Sequence, residues 1–251
     1  MAFHQITALG QPFFAQSSLY RMKADAGLPK ALRFVNDTSM REFTRVGSSL
    51  FLRSEDHQLL GKWVADKYDR HQHSGKWLRR DILSKRLIGH YDAHREYKSA
   101  QILKSCGQRV ISCHGYGVAC NPLNEYGSLY LMEYQPDAVS GKVFFSSLNE
   151  EAQWQFFGRM MALAIDLANH GYFHTDFHYG NILVEPSETL VWIDTHVKPL
   201  SRTPLHKARQ LFNMISPTKL GGVPFAEEAR SRLAHHFPEI KSIMQQKNTL
   251  S

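Results

Sequence analysis

Apolar and polar positions along the chain change their period about halfway. From Phe43 onward short β-like runs dominate: Leu50-Phe51-Leu52, a polar turn over residues 54–58, then residues 62–68, where Trp63, Ala65 and Lys67 share one strand face. This alternation predicts a hairpin. The first 40 residues carry no pattern strong enough to assign. Residues 92–105 predict a helix, because Ala93, Glu96, Ala100 and Leu103 recur on one stripe and Gly107 follows as a C-terminal cap. Residues 110–113 and 129–132 are strand-like and separated by Gly, Asn and Pro turns. After Met132 the texture becomes helical. A capping-box pattern from Ser147 to Glu150 opens a helix with the apolar face Trp154, Phe157, Met161, Ala164 and Ala168, which Gly171 ends.

Composition narrows the class without naming a function. The chain has 251 residues, 43% of them hydrophobic, with 16 Gly and 10 Pro, so it can bury a sizeable core and is neither disordered nor collagen-like. Lys and Arg exceed Asp and Glu by 30 to 23, a formal charge of +7. The longest nearly apolar stretch, residues 160–168, contains Asp166 and falls well short of the roughly 20 residues of a spanning helix. The N-terminus has no early cation, and Gly10 and Pro12 interrupt it, so no secretory signal is expected and the expected compartment is the cytosol. Cys106, Cys113 and Cys120 form no close pair and are expected to be buried or half-buried thiols.

The densest chemistry is His174-Thr-Asp176-Phe-His178-Tyr-Gly-Asn181-Ile-Leu-Val, followed by Asp194 in Val191-Trp-Ile-Asp-Thr-His. His174 and His178 would suit zinc on a helix, but Gly171, Gly180 and the strand-like residues 182–184 argue for a loop, and no third ligand is placed. Phosphoryl transfer gives every polar residue a role. Asp176 would orient the acceptor hydroxyl or accept its proton, while Asn181 and Asp194 supply hard oxygens to Mg²⁺ on the nucleotide phosphates. Residues 182–184 and 190–193 would bring those two ligands together as a hairpin.

On these residues the chain resembles the bacterial lipopolysaccharide core kinases, which phosphorylate heptose or 3-deoxy-octulosonic acid and have a protein-kinase-like fold. The resemblance spans about residues 43–215. It implies an α+β, two-lobed fold with a β-rich nucleotide-binding lobe, residues 1–133, and a helical catalytic lobe, residues 134–251. It also implies ATP and Mg²⁺ as cofactors. A kinase-like site needs a strand lysine on the α and β phosphates and a helix glutamate to hold it. Val64-Ala65-Asp66-Lys67 resembles that strand motif except at Asp66, so Lys67 is the expected lysine and Glu96 its partner, with Lys62 and Lys85 as competitors. Gly47-Ser48-Ser49 is the expected phosphate-covering turn, with Ala65 nearby, and Glu133 and Tyr134 form the expected hinge that binds adenine through its backbone.

Three departures shift the expected acceptor away from protein. The Asp194 motif reads Asp-Thr-His, no Ala-Pro-Glu follows, and little chain remains. The expected function is therefore ATP-dependent phosphorylation of a sugar hydroxyl in the lipopolysaccharide inner core. Aminoglycoside- or choline-type kinases, which share a His-x-Asp-x-His-x-x-Asn loop, are one alternative, and a nucleotide-binding pseudokinase scaffold is another. Residues 70–86 carry Arg70, Lys76, Arg79, Arg80, Lys85 and Arg86 against Asp81. This basic insert reads either as a solvated loop or as a collector of the anionic acceptor, with peripheral contact at the inner-membrane face. Nucleic acid is not an expected partner, since no recognised binding motif accompanies the charge.

Overall fold

The computed structural model describes residues 1–9, 18–35, 45–46, 49–68 and 71–248. They divide into two compact units: residues 1–98 with 111–136, and residues 99–110 with 137–251. No helix among the described residues is long and apolar enough to cross a membrane.

The first unit is mostly sheet. Its strands are β1 (Ala2–Ala8), β2 (Ser18–Ala24), β3 (Ala31–Val35), β4 (Arg45–Val46), β5 (Ser49–Ser54), β6 (Leu59–Val64), β7 (Cys113–Ala119) and β8 (Ser128–Glu133). They run in the order β3-β1-β2-β7-β8-β6-β5-β4, and β3 also pairs with β5. That last pairing closes seven strands into a barrel, with Phe34 opposite Ser54 and Val35 opposite Arg53. The unit is β-rich, but a closed barrel is not the typical layout of a two-lobed kinase. Alternate residues fill the barrel: Ile6 and Ala8, Tyr20 and Met22, Leu32 and Phe34, Leu50 and Leu52 are all buried. Phe34 meets Trp63 edge-on at 5.0 Å. The expected hairpin is β5–β6, in which Leu50 faces Trp63 and Leu52 faces Gly61. It stops at Val64, however, leaving Ala65 and Lys67 beyond the strand.

After β6 come a short helix, α1 (Ser74–Trp77), and a π-helix, Leu78–Leu87. Helix α2 (Asp92–Ser105) keeps the predicted bounds. It begins in the first unit and contributes its residues from Ser99 onward to the second.

The second unit has the predicted helical texture. Its helices are α3 (Gly141–Ser147), α4 (Glu150–Asn169), α5 (Pro204–Met214), α6 (Val223–His236) and α7 (Glu239–Asn248). The cap of α4 is Asn149, whose side chain accepts from Ala152 N at 2.9 Å, whereas Ser147 lies in α3. Gly107 and Gly171 end their helices at φ +78° and +85°, a conformation open to glycine without steric cost. Five short strands carry the loops of interest: β9 (Val139–Ser140), β10 (Tyr172–His174), β11 (Ile182–Val184), β12 (Leu190–Trp192) and β13 (Val197–Pro199). The predicted hairpin is β11–β12, with Ile182 opposite Trp192 and Val184 opposite Leu190. Cys106 is buried and Cys113 half-buried as expected, whereas Cys120 is exposed.

Candidate active site

The loop between β10 and β11 carries the polar motif, and buried aromatic residues fix it. Phe177 is fully buried, and Tyr179 is buried with its hydroxyl donating to Leu220 O at 3.3 Å. His174, at the end of β10, stacks on Trp192 with ring centroids 4.7 Å apart. The Trp192 indole in turn donates to Gln108 Oε1 at 2.8 Å. His174 Nε2 lies 2.9 Å from Asp194 O, and Asp176 N–H donates to His174 Nδ1 at 3.3 Å. One neutral tautomer, protonated at Nε2, satisfies both bonds. Burial pushes the imidazole down to about 4, so it stays neutral and serves as a clamp between the loop and the Asp194 segment.

The backbone around Asp176 is tied from the other side as well. Asn181 Nδ2 donates to Asp176 O at 2.7 Å, and Ile193 N–H donates to Asn181 O at 3.0 Å. The β11–β12 register thus brings Asn181 and Asp194 to the same end of one hairpin. Asn181 is buried, and its amide nitrogen is committed to Asp176 O, which leaves Oδ1 as its acceptor. Asp194 is half-buried, with Oδ1 3.1 Å from His196 Nε2. Two oxygen donors of this kind suit a hard divalent cation. Among the described residues there is no group of three His, Cys, Asp or Glu able to hold a metal, so the zinc reading of His174 and His178 finds no third ligand.

Asp176 itself is left partly open. Its Oδ1 forms an ion pair with Lys219 and its Oδ2 lies 3.3 Å from His178 Nε2. Burial alone would raise this carboxyl, but Lys219 and His178 outweigh it and hold it below the usual carboxylate value. Lys219, from the short 3₁₀ turn Pro217–Lys219, had no motif to announce it. The same is true of His196, which in the sequence appeared only as a departure from Asp-Phe-Gly.

No protein-family model and no curated protein matches this sequence. Among solved structures, WaaP in complex with acyl carrier protein is similar at a TM-score of 0.49 and 16% identity, covering 82% of each chain. WbdD is similar at 0.42 and 13% identity, over 71% of this chain and 36% of that one. The bifunctional kinase-methyltransferase WbdD is similar at 0.42 and 12%, over 79% and 38%.

In the first unit the partner of Glu96 is Lys62 and not Lys67. Lys62 Nζ donates to both carboxylate oxygens of Glu96, at 3.0 and 2.9 Å, and both side chains are buried. Glu96 does require a cation, as a carboxylate between buried Ala93 and Ala100 must. The cation is supplied from within β6, where Lys62 points away from the face that carries Trp63 into the barrel. Lys67 lies past the strand end; its N–H donates to Asp81 at 3.4 Å and its ammonium sits 5.8 Å from the Tyr68 ring. The competitor Lys85 is paired with Asp66 at 2.8 Å.

The remaining expectations fare unevenly. Ser49 pairs with Val46 across the expected phosphate-covering turn, but Gly47 and Ser48, like Phe43 and Arg70, lie outside the described residues. Ala65 is half-buried just past β6. At the hinge, Glu133 N–H donates to Ser112 O and Tyr134 N–H to Gln58 O, both at 2.9 Å. Neither amide is therefore available as a donor to adenine.

Proposed function

We propose that this chain transfers the γ-phosphoryl group of ATP to a hydroxyl of an anionic sugar, of the kind found in the lipopolysaccharide inner core. The observation that carries this reading is the accessible Asp176 carboxylate on a loop tied down at both ends, with two oxygen donors, Asn181 and Asp194, on the adjoining hairpin. Asp176 orients the acceptor hydroxyl and takes its proton as the new O–P bond forms. The bond from the γ-phosphorus to the bridging oxygen breaks, and ADP leaves with its electron pair. Asn181 and Asp194 would hold Mg²⁺, which when bound neutralises charge on the phosphates. Within the first unit, Lys62 held by Glu96 forms the strand-lysine and helix-glutamate pair first expected of Lys67.

The surroundings of Asp176 favour an acceptor that is itself anionic. Lys219 and His178 both face the carboxylate, so an acceptor bearing a carboxylate or phosphate finds an ammonium and an imidazole beside the hydroxyl it presents. Release of ADP from ATP and Mg²⁺ should rise when purified core oligosaccharide is added, and should not respond to an uncharged sugar. Equal stimulation by an aminoglycoside would move the reading to that class of acceptor. A chain that binds ATP and releases no ADP with any acceptor would be a scaffold.

A further inference from the structure

The pair that Lys219 makes with Asp176 is set up by the backbone. Residues 216–222 form a tight turn in which Lys219 N–H and Leu220 N–H both donate to Ser216 O, at 3.1 and 3.2 Å, and Gly222 N–H donates to Pro217 O at 2.9 Å. Leu220 is fully buried, and its carbonyl accepts the Tyr179 hydroxyl. Gly221 takes φ +82°, and a Cβ there would sit 2.8 Å from the Phe145 ring, so only glycine fits this point of the turn. Phe145 in turn stacks on Tyr179 with ring centroids 4.2 Å apart. Tyr179 stands three residues beyond Asp176 on the same loop. The turn is thus fastened to the loop whose carboxylate its lysine meets, and the part left to move is the flexible Lys219 stem.

Both carboxylate oxygens of Asp176 therefore have a neighbour before any acceptor arrives. Oδ1 holds the Lys219 ammonium, and Oδ2 faces His178 Nε2 at 3.3 Å. A hydroxyl that is to give its proton to Oδ1 must compete with an ammonium for that oxygen. Against the effect of burial, Lys219 and His178 also hold the carboxyl below its usual value, which makes it a poorer proton acceptor while the pair is closed.

Two kinds of acceptor differ in what they can do about this. Water carries no charge to draw the ammonium away. An acceptor with a carboxylate or phosphate offers Lys219 a second anion, so the ammonium can pass to the ligand as the hydroxyl takes Oδ1. From this geometry we infer that Lys219 is a specificity-determining residue directed against water: it occupies Asp176 until an anionic acceptor draws it off, and so suppresses hydrolysis of ATP when no acceptor is bound. The inference rests on the proposed transfer to an anionic sugar. The suppressed reaction is the same displacement with water as nucleophile: the water oxygen bonds to the γ-phosphorus, the bond to the bridging oxygen breaks, ADP leaves with that electron pair, and one water proton passes to Asp176. An exposed pair of this kind favours its closed form by at most about fivefold, which sets the size of the effect.

The test is release of ADP from ATP and Mg²⁺ by the full chain with no acceptor present. Lys219→Ala should release ADP about fivefold faster than the wild type. Adding Asp176→Asn to Lys219→Ala should remove that gain, which ties it to the carboxylate. Inorganic phosphate serves as an anion without a sugar: it should stimulate ADP release by the wild type, relative to chloride at equal ionic strength, and give no stimulation in Lys219→Ala. Acceptor-free release no faster in Lys219→Ala than in a wild type that phosphorylates core oligosaccharide overturns the inference and leaves the proposed transfer standing. Stimulation by phosphate that persists in Lys219→Ala also overturns it, since the anion then acts elsewhere. A wild type that binds ATP and transfers phosphate to no acceptor overturns both.

Discussion

Two lysine–carboxylate pairs stand in opposite solvents. Lys62 and Glu96 have side chains 7% and 3% exposed, whereas Lys219 and Asp176 are 41% and 39% exposed. The contacts are alike, but the energetics are not. Breaking a buried pair by removing one partner leaves a charge in low dielectric and costs about 3–5 kcal/mol, while an exposed pair is worth at most about 1 kcal/mol. The first pair is therefore fixed architecture, and the second can open to admit a hydroxyl or an anionic group.

The largest expected effect is at Asp176. Asp176→Asn should lower kcat by about 10³-fold with nucleotide affinity nearly intact, because the carboxylate acts on the acceptor. Turnover near the wild-type value would remove it from that role. Next, Glu96→Ala should destabilise the fold by about 3–5 kcal/mol in urea unfolding, and adding Lys62→Met should recover much of the loss. An additive double mutant would contradict the pairing.

His174 gives a pH-dependent effect of comparable size. Its folded value, about 4, lies below the unfolded 6.5, so between these values the unfolded chain binds the proton and the folded chain does not. Stability from this residue is complete above pH 6.5 and falls by about 3 kcal/mol as pH drops to 4. His174→Asn should show a shallower fall across that window, and an identical slope would count against the clamp.

Smaller effects separate the exposed lysines. Lys219→Ala should change stability by less than about 1 kcal/mol while raising the acceptor KM, a split that a purely structural residue would not produce. Lys67→Ala should leave turnover on a soluble acceptor unchanged and stability within about 0.5 kcal/mol. Loss of turnover there, with Lys62→Met tolerated, would return the phosphate role to Lys67.

Much of this was legible where a signal was local. The β5–β6 hairpin, α2, the end of α4 at Gly171 and the β11–β12 hairpin followed from spacing and turn residues, and the hairpin carried Asn181 and Asp194 with it. The barrel was not legible, since its closure rests on the parallel β1–β3 pairing and on β3–β5, contacts that leave no local mark. Period-2 alternation at Tyr20 and Met22, and at Leu32 and Phe34, was available in the first 40 residues but was too short to assign alone. Motif spacing alone points to Lys67 because it carries no mark of the strand end at Val64, and Asp66, the one mismatch in that motif, is the anchor for Lys85 and Arg86. Lys219 meets Asp176 across 43 residues of chain, beyond the reach of any local pattern.

The proposed role of Asp176 is to serve transfer of phosphate to a sugar hydroxyl. Its most direct test is transfer of label from γ-labelled ATP to purified core oligosaccharide, run side by side with wild type and Asp176→Asn, each shown to bind nucleotide. The wild type should yield labelled oligosaccharide, and the variant about 10³-fold less per unit time. Equal labelling by both, or none from a wild type that binds ATP, would contradict it.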